Sequence, residues 1–183
     1  NMSGVFSAEL IWTHLDFMFG SPQRFVDVLQ PDKYVWLKRK DYVAQAVSIS
    51  NMMQTGVTHS PNATAEEIAQ ARNAVTYDAK QIKRIAKRMI WMELKTETFF
   101  RDFGIEPLRL TYEDITQAKP SDVLRTLAAH LGRDIRIDDA AKSDHQKLSG
   151  SKSMEFAERF RHEHPLLIRR LNRIRLKSAA PSA

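Results

Sequence analysis

The chain has 183 residues, with 28 Lys plus Arg against 22 Asp plus Glu, a formal charge of +6, and no cysteine. The length suits one domain with a substantial core, and the absence of cysteine excludes a disulfide scaffold, a cysteine nucleophile and thiolate zinc sites. The positive excess favours anionic partners, and it is densest near the end, with Arg159, Arg161, Arg169, Arg170, Arg173, Arg175 and Lys177. No apolar segment is long enough to predict a membrane span.

In chain order, Val5 to Trp12 is apolar apart from Ser7 and Glu9, which predicts a strand running into a helix with Leu15, Phe17 and Met18. This start lacks the charged region and cleavage site of a signal peptide, so the expected localisation is cytoplasmic. Gly20-Ser21-Pro22 breaks the first helix, and Pro22 opens a second with Phe25, Val26 and Leu29. Tyr34-Val35-Trp36-Leu37 reads as a buried strand. Three cations follow, Lys38, Arg39 and Lys40, and Asp41 is placed to cap a helix running to about Gln54, with Gly56 to end it. Strand, charged turn and helix start in that order form an anion site, because the first helical N–H groups lack partners and the helix dipole is positive there. A solvated charged turn is the competing reading of the same pattern.

Residues 56–76 are polar and poor in aromatics, and predict an insertion loop with one short helix from about Ala65. The longest helix is expected from a cap at Asp78 to about Phe103, with Ile82, Ile85, Ala86, Met89 and Met92 on one face. Its aromatic end, Phe99, Phe100 and Phe103, reads as core. Pro107 to Leu110 predicts another strand, Pro120-Ser121-Asp122 a helix start, Ile135 to Ile137 a brief extended piece, and Asp138 to Lys152 a loop. An amphipathic helix begins at Ser153, and Pro165 divides it from a last basic helix. Helices alternating with short apolar strands argue for an α/β fold with a parallel sheet. A single domain is expected over 1–177, with a flexible tail at 178–183.

Most site chemistries are excluded. No G-x-x-x-x-G-K-[ST] or G-x-G-x-x-G loop, no H-E-x-x-H and no G-x-S-x-G elbow is present. His162 and His164 stand two apart, on different faces of a helix, so no metal is expected. What remains is the segment from Lys38 to Ser48. A phosphate needs convergent cations, N–H groups and hydroxyls, and Lys40 with Ser48 can supply two of these.

The segment Tyr34 to Ser48 resembles the 3′-phosphate-binding stretch of the Stf0-type sulfotransferases, keeping Arg39, Asp41, Ala46-Val47-Ser48 and Gln54-Thr55-Gly56. Gly4-Val5-Phe6, Phe99-Phe100, Gly104-Ile105-Glu106-Pro107-Leu108, Thr111-Tyr112-Glu113-Asp114 and Glu155 to Arg161 resemble further family segments in the same order. The resemblance implies a helix-rich, P-loop-kinase-like sulfotransferase fold. It also implies transfer of a sulfuryl group from 3′-phosphoadenosine-5′-phosphosulfate to a hydroxyl of a carbohydrate or glycolipid, leaving 3′,5′-adenosine bisphosphate. Arg39 or Lys40, together with Ser48, would hold the 3′-phosphate. Lys40 departs from the arginine that relatives often carry, and lysine cannot offer a bidentate fork. Gln54, Thr55 and His59, at the start of the insertion, are the acceptor-side candidates, with a solvated loop as the alternative. The family's loop for the 5′-phosphosulfate and its catalytic carboxylate precede the matched segments, so the expectation is an N-terminally incomplete chain, inactive alone, with its catalytic residues unknown. Relatives form homodimers. Two other readings compete: a nucleic-acid-binding module built on the basic last helix, and a non-catalytic oligomerisation domain. If instead that helix docks on the domain through Leu167, Leu171 and Ile174, its arginines are expected in solvent.

Overall fold

The computed structural model describes residues 6–56, 64, 70, 73–138 and 151–178. Helix α1 (Trp12–Phe19) ends at Gly20, whose φ of 73° is left-handed and suits a residue without a Cβ. Helix α2 (Pro22–Leu29) starts where Ser21 accepts the N–H of Arg24, with Pro22 in the first turn. Strand β1 (Val35–Lys38) leads to α3 (Tyr42–Thr55), capped as expected by Asp41, which accepts the N–H of Ala44 at 3.0 Å. Helix α4 (Ala79–Asp102) is capped by Asp78 and runs 24 residues, about 36 Å. Strand β2 (Leu108–Thr111), α5 (Tyr112–Gln117), α6 (Pro120–His130), α7 (Ser151–Glu163) and α8 (Pro165–Ser178) follow.

β1 and β2 pair in parallel, in the register Val35↔Leu108 to Lys38↔Thr111. Among the described residues these are the whole sheet. The result is a helix-rich α/β architecture. β2 begins one residue later than the apolar run suggests. Pro107 has no N–H for a ladder, and the first bond across is Leu108 N–H to the Tyr34 carbonyl, at 2.9 Å. Two expected extended pieces differ. Residues 6–11 precede α1 without strand pairing, and so do 133–138 after α6. Apolar character alone does not make a strand where no neighbouring ladder is offered. The last amphipathic helix starts at Ser151 rather than Ser153. The helix expected from Ala65 lies outside the described residues.

Two apolar clusters share α4 as a spine. Its N-terminal half presents Ile82, Ala86, Met89 and Ile90 to Val43, Ala46 and Val47 of α3, to Phe156, Ala157 and Phe160 of α7, and to Leu171 of α8. Ala46 and Ala86 are fully buried, and such small residues let helices approach closely. Its C-terminal end carries Phe99 and Phe100 into a second cluster with Leu15 and Phe25, flanked by Trp12, Tyr34 and Trp36. The rings meet edge-to-face, Trp36 and Phe100 at 5.6 Å between centroids. The aromatic end is therefore core, as its pattern predicts. One rigid helix thus fixes both the sheet and α3, the two elements that flank the turn at residues 39–41.

Candidate functional site

The parallel register places Lys38 beside Thr111, so the residues after each strand leave the same end of the sheet. Ligands of open α/β sheets bind at this carboxyl end. Residues 39–41 follow β1, and residues 112–114 follow β2. The Glu113 carboxylate accepts the backbone N–H groups of Lys40 at 2.9 Å and of Asp41 at 3.3 Å. The backbone leading into α3, expected to be open to an external anion, therefore already donates to a carboxylate from the chain itself at Lys40 and Asp41. The pattern around Asp41 contains no sign of a residue more than seventy positions away.

Other elements close the turn. Asp41 receives Arg161 of α7 on both carboxylate oxygens, at 2.7 and 2.6 Å. Arg175 of α8 holds Glu93 of α4 in a bidentate pair, at 2.6 and 2.8 Å. The same guanidinium donates to the carbonyl of Lys40 at 2.6 Å and to the carbonyl of Arg39. Arg175 is only 16% exposed and Glu93 14%. The expectation of solvated arginines on the last helix thus fails for Arg175, which faces inward and fixes the backbone of the turn.

Arg39, Lys40 and Ser48 differ in availability. The Lys40 ammonium pairs with Asp114 at 2.5 Å, and both side chains are 59% exposed. A pair so open to water contributes little, because solvent and salt screen it. The Arg39 guanidinium lies 3.8 Å from the centre of the Tyr112 ring and forms no ion pair among the described residues. Ser48, half-buried, stands two helical turns beyond Asp41 on the same side of α3, about 10 Å along the axis. Its hydroxyl has no hydrogen-bond partner among the described residues. Of the three candidates, Arg39 and Ser48 therefore remain open, and Lys40 is held by a weak exposed partner; Lys38, at the end of β1, lies over the Trp36 ring.

The acceptor-side candidates lie further along α3. The Gln54 amide donates to the Thr76 carbonyl at 3.0 Å and accepts the Thr76 N–H at 2.9 Å, so it staples the two ends of the 56–76 insertion together. Thr55 donates to the Asn51 carbonyl at 3.0 Å. His59 lies outside the described residues. Pattern reading missed Arg161, Glu93 and Arg175 as partners of the turn. The one usable signal is strand parallelism, which places Glu113 and Asp114 beside residues 39–41 once β1 and β2 are paired.

Burial opposes the charge of Glu113, but the N–H groups of Lys40, Glu113 and Asp41 and the nearby Arg39 cation outweigh it, and its pKa lies below the ordinary value. Lys40 and then Thr111 hold Asp114 down through hydrogen bonds. A carboxylate with a depressed native pKa adds stability above its unfolded pKa, and that stability is lost as pH falls through the native value. The melting temperature is therefore expected to hold from neutral pH to about 5 and to fall below about 4.5, with a shallower acid slope in Glu113→Gln. Thermal scans over that range check this; an unchanged slope in the variant excludes Glu113 from the acid response.

A basic turn at the carboxyl end of a parallel strand pair, followed by a capped helix, defines an α/β protein with cations gathered at that end of its sheet. A model described as Stf0 sulphotransferase matches residues 5–163, most of the chain. The chain belongs to the Stf0 sulphotransferase family, and its helix-rich α/β architecture agrees with that assignment. No curated protein and no solved structure matches it. No described helix is long and apolar enough to cross a membrane.

Proposed function

We propose that the protein transfers a sulfuryl group from 3′-phosphoadenosine-5′-phosphosulfate to a hydroxyl of a carbohydrate or glycolipid acceptor, and that the 39–48 segment grips the donor's 3′-phosphate. The acceptor oxygen forms a bond to sulfur as the bond from sulfur to the 5′-phosphate oxygen breaks. The electron pair leaves with 3′,5′-adenosine bisphosphate, and a base takes the hydroxyl proton. The observation that carries the reading is Arg39: its guanidinium is braced on Tyr112, lacks an ion pair among the described residues, and stands on a turn whose backbone is tied down by Glu113 and Arg175. Preorganised donors of this kind lower the ordering cost of binding.

Family membership supports sulfuryl transfer as the reaction class. For the phosphate contact, Arg39 is the principal cation, because it alone offers a planar fork. Ser48 adds a hydroxyl. Lys40 joins by exchanging its exposed Asp114 partner for phosphate, an exchange that costs little because the pair is solvated. Glu113 and Asp114 set a limit on the site, since they repel any phosphate that approaches the N–H groups of Lys40 and Asp41.

Calorimetric titration with 3′,5′-adenosine bisphosphate tests this. Arg39→Ala is expected to weaken affinity about tenfold to a hundredfold, the worth of a charge-assisted contact, and Ser48→Ala by up to about tenfold. Wild-type protein that ignores the nucleotide would end the donor reading. Tight binding that survives both substitutions would move the phosphate elsewhere while leaving the reaction class intact.

A further inference from the structure

A groove of about 530 Å³ lies between α4 and α8, well apart in composition from the turn at residues 39–41. Its floor is apolar, with Ile90, Leu171 and Ile174, and its rim carries Trp91 and Leu166, 44% and 73% exposed. Lys83, Lys87 and Arg170 complete the rim, and no acidic residue lines it. None of these three cations has an ion-pair partner among the described residues. The charge continues beyond the groove. Lys80 precedes Lys83 by one helical turn, while Arg173 and Lys177 follow Arg170 at i+3 and i+7 on the same stripe of α8. All three are exposed. Arg175, two residues from Arg173, points the other way into the turn. Helix α8 therefore divides its cations between an internal brace and an outward face.

We infer that this α4–α8 face is a docking surface for an anionic lipid bilayer. The combination of groups selects the occupant. Unpaired cations around an apolar floor call for a partner that is anionic and apolar at once. A nucleic acid would neutralise the lysines and arginines but leave Leu166 and the floor in water. At a bilayer, lipid phosphates meet Lys83, Lys87 and Arg170, and Trp91 and Leu166 enter the boundary between headgroups and acyl chains, the depth at which tryptophan is enriched. The juxtaposition of both features on one face carries the inference. Exposed apolar residues rimmed by charge mark interaction sites, and each Lys or Arg near an anionic surface gives about 1 kcal/mol, roughly fivefold in partitioning.

Co-sedimentation of the whole chain with phosphatidylglycerol–phosphatidylcholine vesicles, set against pure phosphatidylcholine vesicles, tests the surface. Binding to the anionic vesicles alone is expected, weakening as salt is added. The triple variant Lys83→Gln, Lys87→Gln, Arg170→Gln should bind about a hundredfold less, three such fivefold losses combined. Leu166→Ser should weaken binding while leaving every charge on the face in place. Tryptophan emission should shift to the blue on binding, and Trp91→Phe should remove the shift. Circular dichroism melts confirm that each variant is folded. Failure of the wild-type chain to sediment with anionic vesicles would overturn the inference. So would undiminished binding by the folded triple variant. If a DNA duplex binds competitively and Leu166→Ser and Trp91→Phe bind both vesicles and duplex like wild type, the face is a plain polyanion surface and the bilayer assignment falls.

Discussion

Arg175→Ala is expected to lower the melting temperature by about 10 °C. The guanidinium is mostly buried; its contacts include the bidentate pair with Glu93, the bonds to the carbonyls of Arg39 and Lys40, and the face of the Tyr42 ring, 5.5 Å from its centre. Removing it leaves the Glu93 carboxylate at 14% exposure without its cation, and two carbonyls of the turn without their donor. Breaking such a pair costs about 3–5 kcal/mol, because the orphaned charge keeps its desolvation penalty. In a chain of this length each kcal/mol moves the midpoint by about 2–4 °C. Replacing both partners by apolar residues, Glu93→Leu with Arg175→Met, removes the orphaned charge and should recover much of the loss. Differential scanning calorimetry of the single and double variants decides the matter. A single variant within a degree of wild type would show that the pair contributes nothing net. Nucleotide affinity adds a second readout. If the brace positions the turn, Arg175→Ala should weaken 3′,5′-adenosine bisphosphate binding even at temperatures where the variant is fully folded.

Phe160→Ala should be about as costly, for a different reason. The ring is fully buried, in the cluster where α7 packs on α3 and α4. Truncating a buried phenylalanine to alanine loses transfer free energy and leaves a cavity, together about 3–5 kcal/mol. That is a large part of the 5–15 kcal/mol typical of a domain. Phe160→Leu keeps most of the volume and is expected to cost distinctly less. Urea unfolding midpoints at constant slope measure both. Equal and small effects would mean that α7 packs too loosely for this ring to matter. The neighbouring Arg161 ties the result to the site, because it reaches Asp41 from the same helix. Loosening α7 should therefore free Asp41 as well as weaken the core.

The two variants also mark how far local pattern reaches. Periodicity and caps found the helices, because the apolar spacing of Ile82, Ile85, Ala86 and Met89 and the N-caps at Asp41 and Asp78 are properties of neighbouring residues. The aromatic end of α4 was legible as core for the same reason. Strand existence was legible at 34–37 and 107–110, but not strand pairing, which depends on a partner more than seventy residues away. That is why the apolar stretch around Phe6 read as a strand and is none among residues 6–11.

In the candidate site, Arg39, Lys40 and Ser48 were legible as residues but not in their states. A cation after a strand looks equally available in each case. Only the folded chain sets Lys40 against Asp114 and Arg39 against Tyr112. Gln54 shows the same limit: its place at the rim of the insertion marked it as an acceptor-side candidate, and only the fold shows that its amide joins the backbone at Thr76.

From the residues alone came the helix-rich α/β class, the basic turn before a capped helix, and the family. The α/β class and the basic turn rest on short-range spacing and local chemistry, and the helix-rich fold and the family on the resemblance of segments that follow in order along the chain; none of these needs tertiary contacts. Tertiary structure alone decided which charges are free. It set the Glu113 carboxylate, just after β2, on the backbone N–H groups that lead into α3, and it turned Arg175 inward while leaving Arg170 and Arg173 outward. The physical reason is that an ion pair or a hydrogen bond acts over a few ångströms in space, and separation along the chain carries no information about which groups will come that close.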